Sequence, residues 1–233
     1  MPQLRPLFIF SLPRSGSTLL QRMLGAHSQV ATASEPWLLL PLLYSLRTDG
    51  VYTKYNHGEA VRAIVDLCAQ LPDGRATYLA EIRRFAMRVY SELAGPDARY
   101  FLDKSPRYHL VADDILGAFP EAKCVFLWRH PLAVAASTLD TWLQGRWQVY
   151  YHKIDLFEGL ERLVDAYRHH AERVACVRYE DLVTAPERTL RSLLDHLELG
   201  WEPATVADQS SVELQGRLGD QTGRTAYSDV SVA

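Results

Sequence analysis

Leu7-Phe8-Ile9-Phe10-Ser11-Leu12-Pro13-Arg14-Ser15-Gly16-Ser17-Thr18-Leu19-Leu20 runs from a continuous apolar segment, through a small-residue turn carrying one cation, into apolar positions at helical spacing. A parallel strand covered on both faces shows no polar alternation, and residues 7–12 have that pattern. Leu19, Leu20, Met23 and Leu24 recur three and four apart, as one face of a helix does. Between them, Gly16 lets the backbone pass close to a ligand, and the first helical turn offers amides that the helix leaves without acceptors. Arg14 and the hydroxyls of Ser15, Ser17 and Thr18 add donors suited to phosphate oxygens. Strand, turn and helix together predict an anion cradle. The plainer alternative is a strand-turn-helix joint with a capping serine.

The turn differs from the common ATP or GTP loop, G-x-x-x-x-G-K-[ST], whose lysine reaches the terminal phosphates. Ser17 follows Gly16 here, and the nearby cation, Arg14, precedes it. A net charge of −3 gives no general attraction to nucleic acid, so an anion site has to be local. No segment is apolar for long enough to span a membrane, and residues 1–12 are too short for a secretory signal, so the expectation is a soluble cytoplasmic protein. Cys68, Cys124 and Cys176 are far apart, with neither the spacing nor the histidine neighbours of a zinc site. Buried reduced thiols and no metal are expected.

At 233 residues the chain is long enough to bury a substantial core within one domain, 1–233. Strands are predicted at residues 7–12, 99–102, 124–128 and 174–177. Helices are predicted at 35–46, 60–71, 77–93, 108–119, 132–143, 156–172 and 186–197. Strands alternating with helices give an α/β fold with a mainly parallel sheet flanked by helices on both faces. Residues 205–233 become polar and lose periodicity, and are read as a tail or a lid.

Each predicted strand runs into a cation: Arg14, Lys104, Arg129 and Arg178. Ligands of open parallel sheets bind at the carboxyl ends of the strands, so these four could converge on one highly anionic ligand. Any one of them alone is as well explained as a solvated loop charge.

These segments resemble the sulfotransferases that use 3′-phosphoadenosine 5′-phosphosulfate, a family with a P-loop-type α/β fold. Residues 12–20 look like that family's 5′-phosphosulfate loop. Cys124-Val125-Phe126-Leu127-Trp128-Arg129-His130-Pro131, with Ser137 eight positions after Arg129, looks like its 3′-phosphate motif. Asp103-Lys104-Ser105-Pro106 and Val177-Arg178-Tyr179-Glu180-Asp181-Leu182 match in order and setting. The resemblance spans about residues 5–200 and is closer to the branch of tyrosylprotein sulfotransferases and bacterial enzymes, which has Arg-Ser-Gly-[Ser/Thr]-Thr in the loop. Cytosolic small-molecule enzymes have lysine at the place of Arg14 and a histidine base two residues after a later lysine, where this chain has Pro106.

The resemblance implies a donor site made by Arg14, Ser15, Gly16, Ser17 and Thr18 around the 5′ group, with Arg129 and Ser137 on the 3′-phosphate. Tyr179 would lie near the adenine or the 3′-phosphate, and Arg224 would close over the cofactor from Gly219-Asp220-Gln221-Thr222-Gly223-Arg224, unless that lid is incomplete. It implies no metal. Lys104, aided by Arg14, would stabilise charge on the departing phosphate oxygen. Glu35 stands where the tyrosylprotein branch has its proposed base. Two other roles remain open at this point: Glu35 as a carboxylate at the start of a helix begun by Pro36, and His109 or His130 as the proton acceptor. The acceptor is expected to be a hydroxyl of a sugar, lipid, secondary metabolite or tyrosine, with Trp37, Trp142, Trp147, Tyr150, Tyr151 and His152 as candidate walls. Two other functions compete: a magnesium- and ATP-dependent kinase, for which Asp103 is the one plausible metal ligand, and a non-catalytic nucleotide-binding domain.

Overall fold

A computed structural model describes residues 3–143, 145–146, 148–207 and 211–214. Five parallel strands form one sheet in the order β2-β3-β1-β4-β5. They are β1 (Arg5–Phe10), β2 (Val30–Thr32), β3 (Tyr100–Asp103), β4 (Lys123–Trp128) and β5 (Ala175–Arg178). β1 lies at the centre, with Phe8 level with Asp103 on one side and Cys124 on the other. The chain leaves β1 toward one edge and returns to build the other, so the crevice beyond the carboxyl ends of β3, β1 and β4 is the topological switch point of the sheet.

The apolar run in β1 is covered on both sides, as its lack of alternation requires. Phe8 and Phe10 pack beneath α2 (Leu39–Tyr44), α4 (Arg75–Leu93), α5 (Ala112–Ala118) and α7 (Gly159–His170). Leu7 and Ile9 pack on the other face, beneath α1 (Ser17–Gly25), α8 (Tyr179–Thr184) and α9 (Pro186–His196). Phe8 meets Phe119 edge-on at 5.3 Å, and Phe10 meets Phe126 at 5.2 Å. α3 (His57–Cys68), α6 (Pro131–Trp142) and α10 (Ala204–Ala207) complete the described helices. Local chemistry explains several starts. Asn56 Oδ1 accepts the Glu59 amide at α3, and Pro131 opens α6 with His130 Nδ1 accepting the Leu132 amide.

The expected alternation of strands and helices is present, with shifted bounds. β2 and α8 are too short, at three and six residues, to leave a periodic pattern. The helix expected over 35–46 starts only at Leu39, because a left-handed Trp37 (φ 55°) after Pro36 interrupts the helical path. The helix expected over 108–119 is split into a 3-10 turn and α5, and that over 156–172 opens with a wide π turn at Ile154–Glu158. The thiols are free, and Cys68 and Cys124 are buried as expected. Cys176 is exposed, contrary to expectation, because β5 is an edge strand. Among the described residues, no helix is long and apolar enough to cross a membrane.

Candidate active site

The β1–α1 turn is shaped by two left-handed residues, Arg14 (φ 65°) and Gly16 (φ 87°). Glycine is needed at the second: a β-carbon on Gly16 would lie 2.3 Å from Tyr179 Cδ2. The Leu20 amide makes the first helical bond, to Gly16 O, so α1 gives no partner to the amides of Ser17, Thr18 and Leu19. Those amides, with the positive end of the helix dipole, face the crevice beyond β1. Ser15 and Ser17 are nearly buried, which places their hydroxyls within the turn.

One strand away, Lys104 leaves the end of β3 and its Nζ lies 2.8 Å from Glu35 Oε1. The side chains are only 3% and 11% exposed, so water does little to screen the pair. Glu35 sits in the extended segment after β2, four residues before α2 begins, and so does not start that helix. Gln21 on α1 clips this region together: its Nε2 donates to Thr32 Oγ1 and Ala33 O, and Thr32 Oγ1 donates to Leu102 O. Among the described residues, Glu35 Oε2 accepts no hydrogen bond.

Arg129, at the exit of β4, donates from Nη1 to Arg14 O at 2.9 Å and lies 4.3 Å over the Tyr179 ring. Arg14 Nε donates to Ser137 Oγ at 3.2 Å, tying the loop to α6. Arg14, Arg129, Ser137 and Tyr179, drawn from four separate segments, are thus in one contact network around Gly16. Arg178 does not join them. It stands at the sheet edge, 66% exposed and 4.0 Å from Glu180. The Glu180 carboxyl is held below its usual range: partial burial works against the charge, and the His130 amide and nearby arginines outweigh it. Arg224 and Trp147 lie outside the described residues.

The two histidines considered as bases each have Nδ1 engaged with the backbone. His109 is fully buried with Nδ1 2.8 Å from Pro106 O, and His130 caps α6. Nearby, Asp155 lies 3.1 Å from Arg107 and 3.5 Å from His109; burial raises its carboxyl, and His109, Arg107 and His152 pull it below its usual range. Trp142 stacks on His152 with centroids 5.0 Å apart and lies 6.0 Å from the Arg14 guanidinium, so it borders the β1–α1 turn. Tyr150, Tyr151 and Phe157 are exposed beyond it, and Trp37 packs against the core. Asp103 is sealed, with both oxygens taken by Tyr90, Tyr108 and Ser105. A carboxylate so committed cannot hold the metal that a kinase would require.

A sequence model described as the sulfotransferase family matches residues 6–203. The chain belongs to the sulfotransferase family. Nodulation protein NoeE of Sinorhizobium fredii is 32% identical, with 85% of this chain and 51% of that protein covered. The protein-tyrosine sulfotransferase of Drosophila melanogaster is 24% identical over 86% of this chain and 39% of its own length. The chain spans between about a quarter and three fifths of the length of the curated relatives it matches. Among solved structures, the sulfotransferase domain of the Synechococcus PCC 7002 olefin synthase superimposes with a TM-score of 0.62 at 25% identity, covering 95% of this chain and 82% of that one. The sulfotransferase domain from the curacin biosynthetic pathway gives 0.58 at 26%, covering 88% and 78%. Membership in the sulfotransferase family agrees with the parallel sheet, its helices on both faces and the loop after β1.

Proposed function

We propose that this protein transfers a sulfuryl group from 3′-phosphoadenosine 5′-phosphosulfate to an acceptor hydroxyl. The observation that carries it is the buried Lys104–Glu35 pair beside the β1–α1 loop, which puts a cation and a carboxylate where leaving-group charge and an acceptor proton would each need one. The donor supplies an activated sulfuryl group on a phosphate oxygen. Arg14, the hydroxyls of Ser15, Ser17 and Thr18 and the free amides of α1 suit the 5′ group. Arg129, Ser137 and Tyr179 suit the 3′ side. Lys104 stabilises charge that grows on the phosphate oxygen as its bond to sulfur breaks. Glu35 takes the acceptor proton through Oε2 while the acceptor oxygen bonds to sulfur. The sealed positions of His109 and Asp103 favour this assignment over His109 as the base and over a magnesium-dependent kinase.

The acceptor class we propose is a hydroxyl on a small or conjugated molecule, approaching past Trp142 and His152. Three free thiols favour a reducing compartment, the cytoplasm, as the working location. The deciding experiment is calorimetric titration with adenosine 3′,5′-bisphosphate beside ADP without magnesium, repeated on Arg129→Ala. Micromolar binding of the bisphosphate with a preference over ADP that the variant loses is expected. Equal binding of the two nucleotides by the wild type would overturn the donor assignment.

A further inference from the structure

Beneath the Lys104–Glu35 pair lies a carboxylate that touches neither. Asp103 ends β3 and is fully buried. Tyr90 and Tyr108 both donate to its Oδ2, at 2.6 and 2.8 Å, and Ser105 donates to Oδ1 at 3.3 Å. Burial raises this carboxyl to about 6, with the three hydroxyls and Lys104 pulling the other way.

Ser105 and Tyr108 each give their hydroxyl proton to this carboxyl, which leaves their lone pairs facing out. Two backbone amides use those lone pairs. Trp37 N–H donates to Ser105 Oγ at 3.0 Å, and Leu39 N–H donates to Tyr108 Oη at 3.2 Å. Both amides belong to the segment that follows Glu35, and Trp37 there is left-handed, a conformation that persists in a non-glycine residue only when its surroundings impose it. The other product of the same geometry is Lys104, the residue after Asp103.

We infer that Asp103 is a positioning residue, which through Ser105 and Tyr108 holds the turn at Trp37 and Leu39 and so keeps Glu35 against Lys104. Tyr90 anchors the relay from α4. Its importance for turnover rests on Glu35 and Lys104 being the reacting pair, whereas its effect on the turn does not.

The test uses the full chain with Ser105→Ala, Tyr108→Phe and Asp103→Asn, and Tyr100→Phe as control. Tyr100 is equally buried on β3 but bonds Leu197 O, away from the turn. Amide exchange of Trp37 and Leu39, read by NMR, is expected to quicken about tenfold in each relay variant, the equivalent of one lost hydrogen bond, and not in the control. With 2-naphthol as probe acceptor, kcat should fall by a similar factor or more while donor KM stays within about threefold. Should Asp103→Asn fail to fold, the other two variants carry the same test. Unchanged exchange at both amides would overturn the relay. Faster exchange with unchanged kcat would uphold the relay and remove Glu35 and Lys104 as the reacting pair.

Discussion

Lys104 and Glu35 meet at 2.8 Å although they leave different strands, β3 and the edge strand β2, and nothing else among the described residues neutralises the carboxylate. Removing one partner leaves the other buried and unpaired. Lys104→Met is therefore expected to cost about 3 kcal/mol of stability, and Lys104→Met with Glu35→Gln to recover most of it. Chemical denaturation of the four forms checks the cycle, and additive losses would show that the pair is not coupled.

Activity should not follow stability. If the carboxylate takes the acceptor proton, Glu35→Gln lowers kcat by roughly 10²- to 10⁴-fold and leaves affinity for adenosine 3′,5′-bisphosphate within a few-fold. Burst and steady-state kinetics with a phenolic acceptor read the first, and calorimetry reads the second. Full activity in Glu35→Gln would move the base role to another group.

Gly16→Ala combines a left-handed backbone with a β-carbon 2.3 Å from the Tyr179 ring. Its bisphosphate affinity should drop at least about tenfold, as expected when strain of about 1–3 kcal/mol falls on the loop. Shrinking the ring with Tyr179→Ala relieves the clash but not the φ angle, and it also removes a residue assigned to the 3′ side, so the rescue is read in folding stability and should be partial. Complete rescue would show that the backbone conformation carries no cost.

Asp103 sets a pH dependence of stability with an unusual sign. Burial favours the neutral form and pushes its folded carboxyl up to about 6, from 3.8 for a freely solvated aspartate. The folded state thus holds a proton that the unfolded state has released between those values. Its contribution is fully present below about pH 4 and is lost as pH rises through 6, a swing of roughly 3 kcal/mol. The stability of wild type minus that of Asp103→Asn should therefore decline between pH 4 and 7. Urea midpoints at several pH values measure it, and a rising difference would contradict the assignment.

The strand, turn and helix of residues 7–20 were legible in the chain because their signals are local and need no distant partner, whereas Arg129 with Ser137 came forward only through the family resemblance. Glu35 was legible as a candidate, but its relation to α2 was not, since Pro36 reads as a helix start until the left-handed Trp37 is seen. The Asp103 relay left no local trace. Its members, at 37, 39, 90, 103, 105 and 108, meet only when α4, β3 and the segment after β2 are packed together. A hint existed in Tyr90, a tyrosine on the apolar face of α4, since a buried phenol needs a hydrogen-bond partner. Cys176 was misjudged for the converse reason: an edge position depends on strand order, which periodicity does not encode.

The contacts that assemble the donor loop join residues remote in the chain: 115 positions separate Arg129 from Arg14, 123 separate Arg14 from Ser137, and 69 separate Lys104 from Glu35. Each closes a loop as long as those closed by the β1–β4 and β2–β3 pairings, so these contacts form with the sheet and after the local helices. A partly folded chain can hold β1 and α1 yet have no nucleotide pocket. Recovery of bisphosphate binding during refolding therefore reports arrival at the native state, and it should trail the return of helical signal.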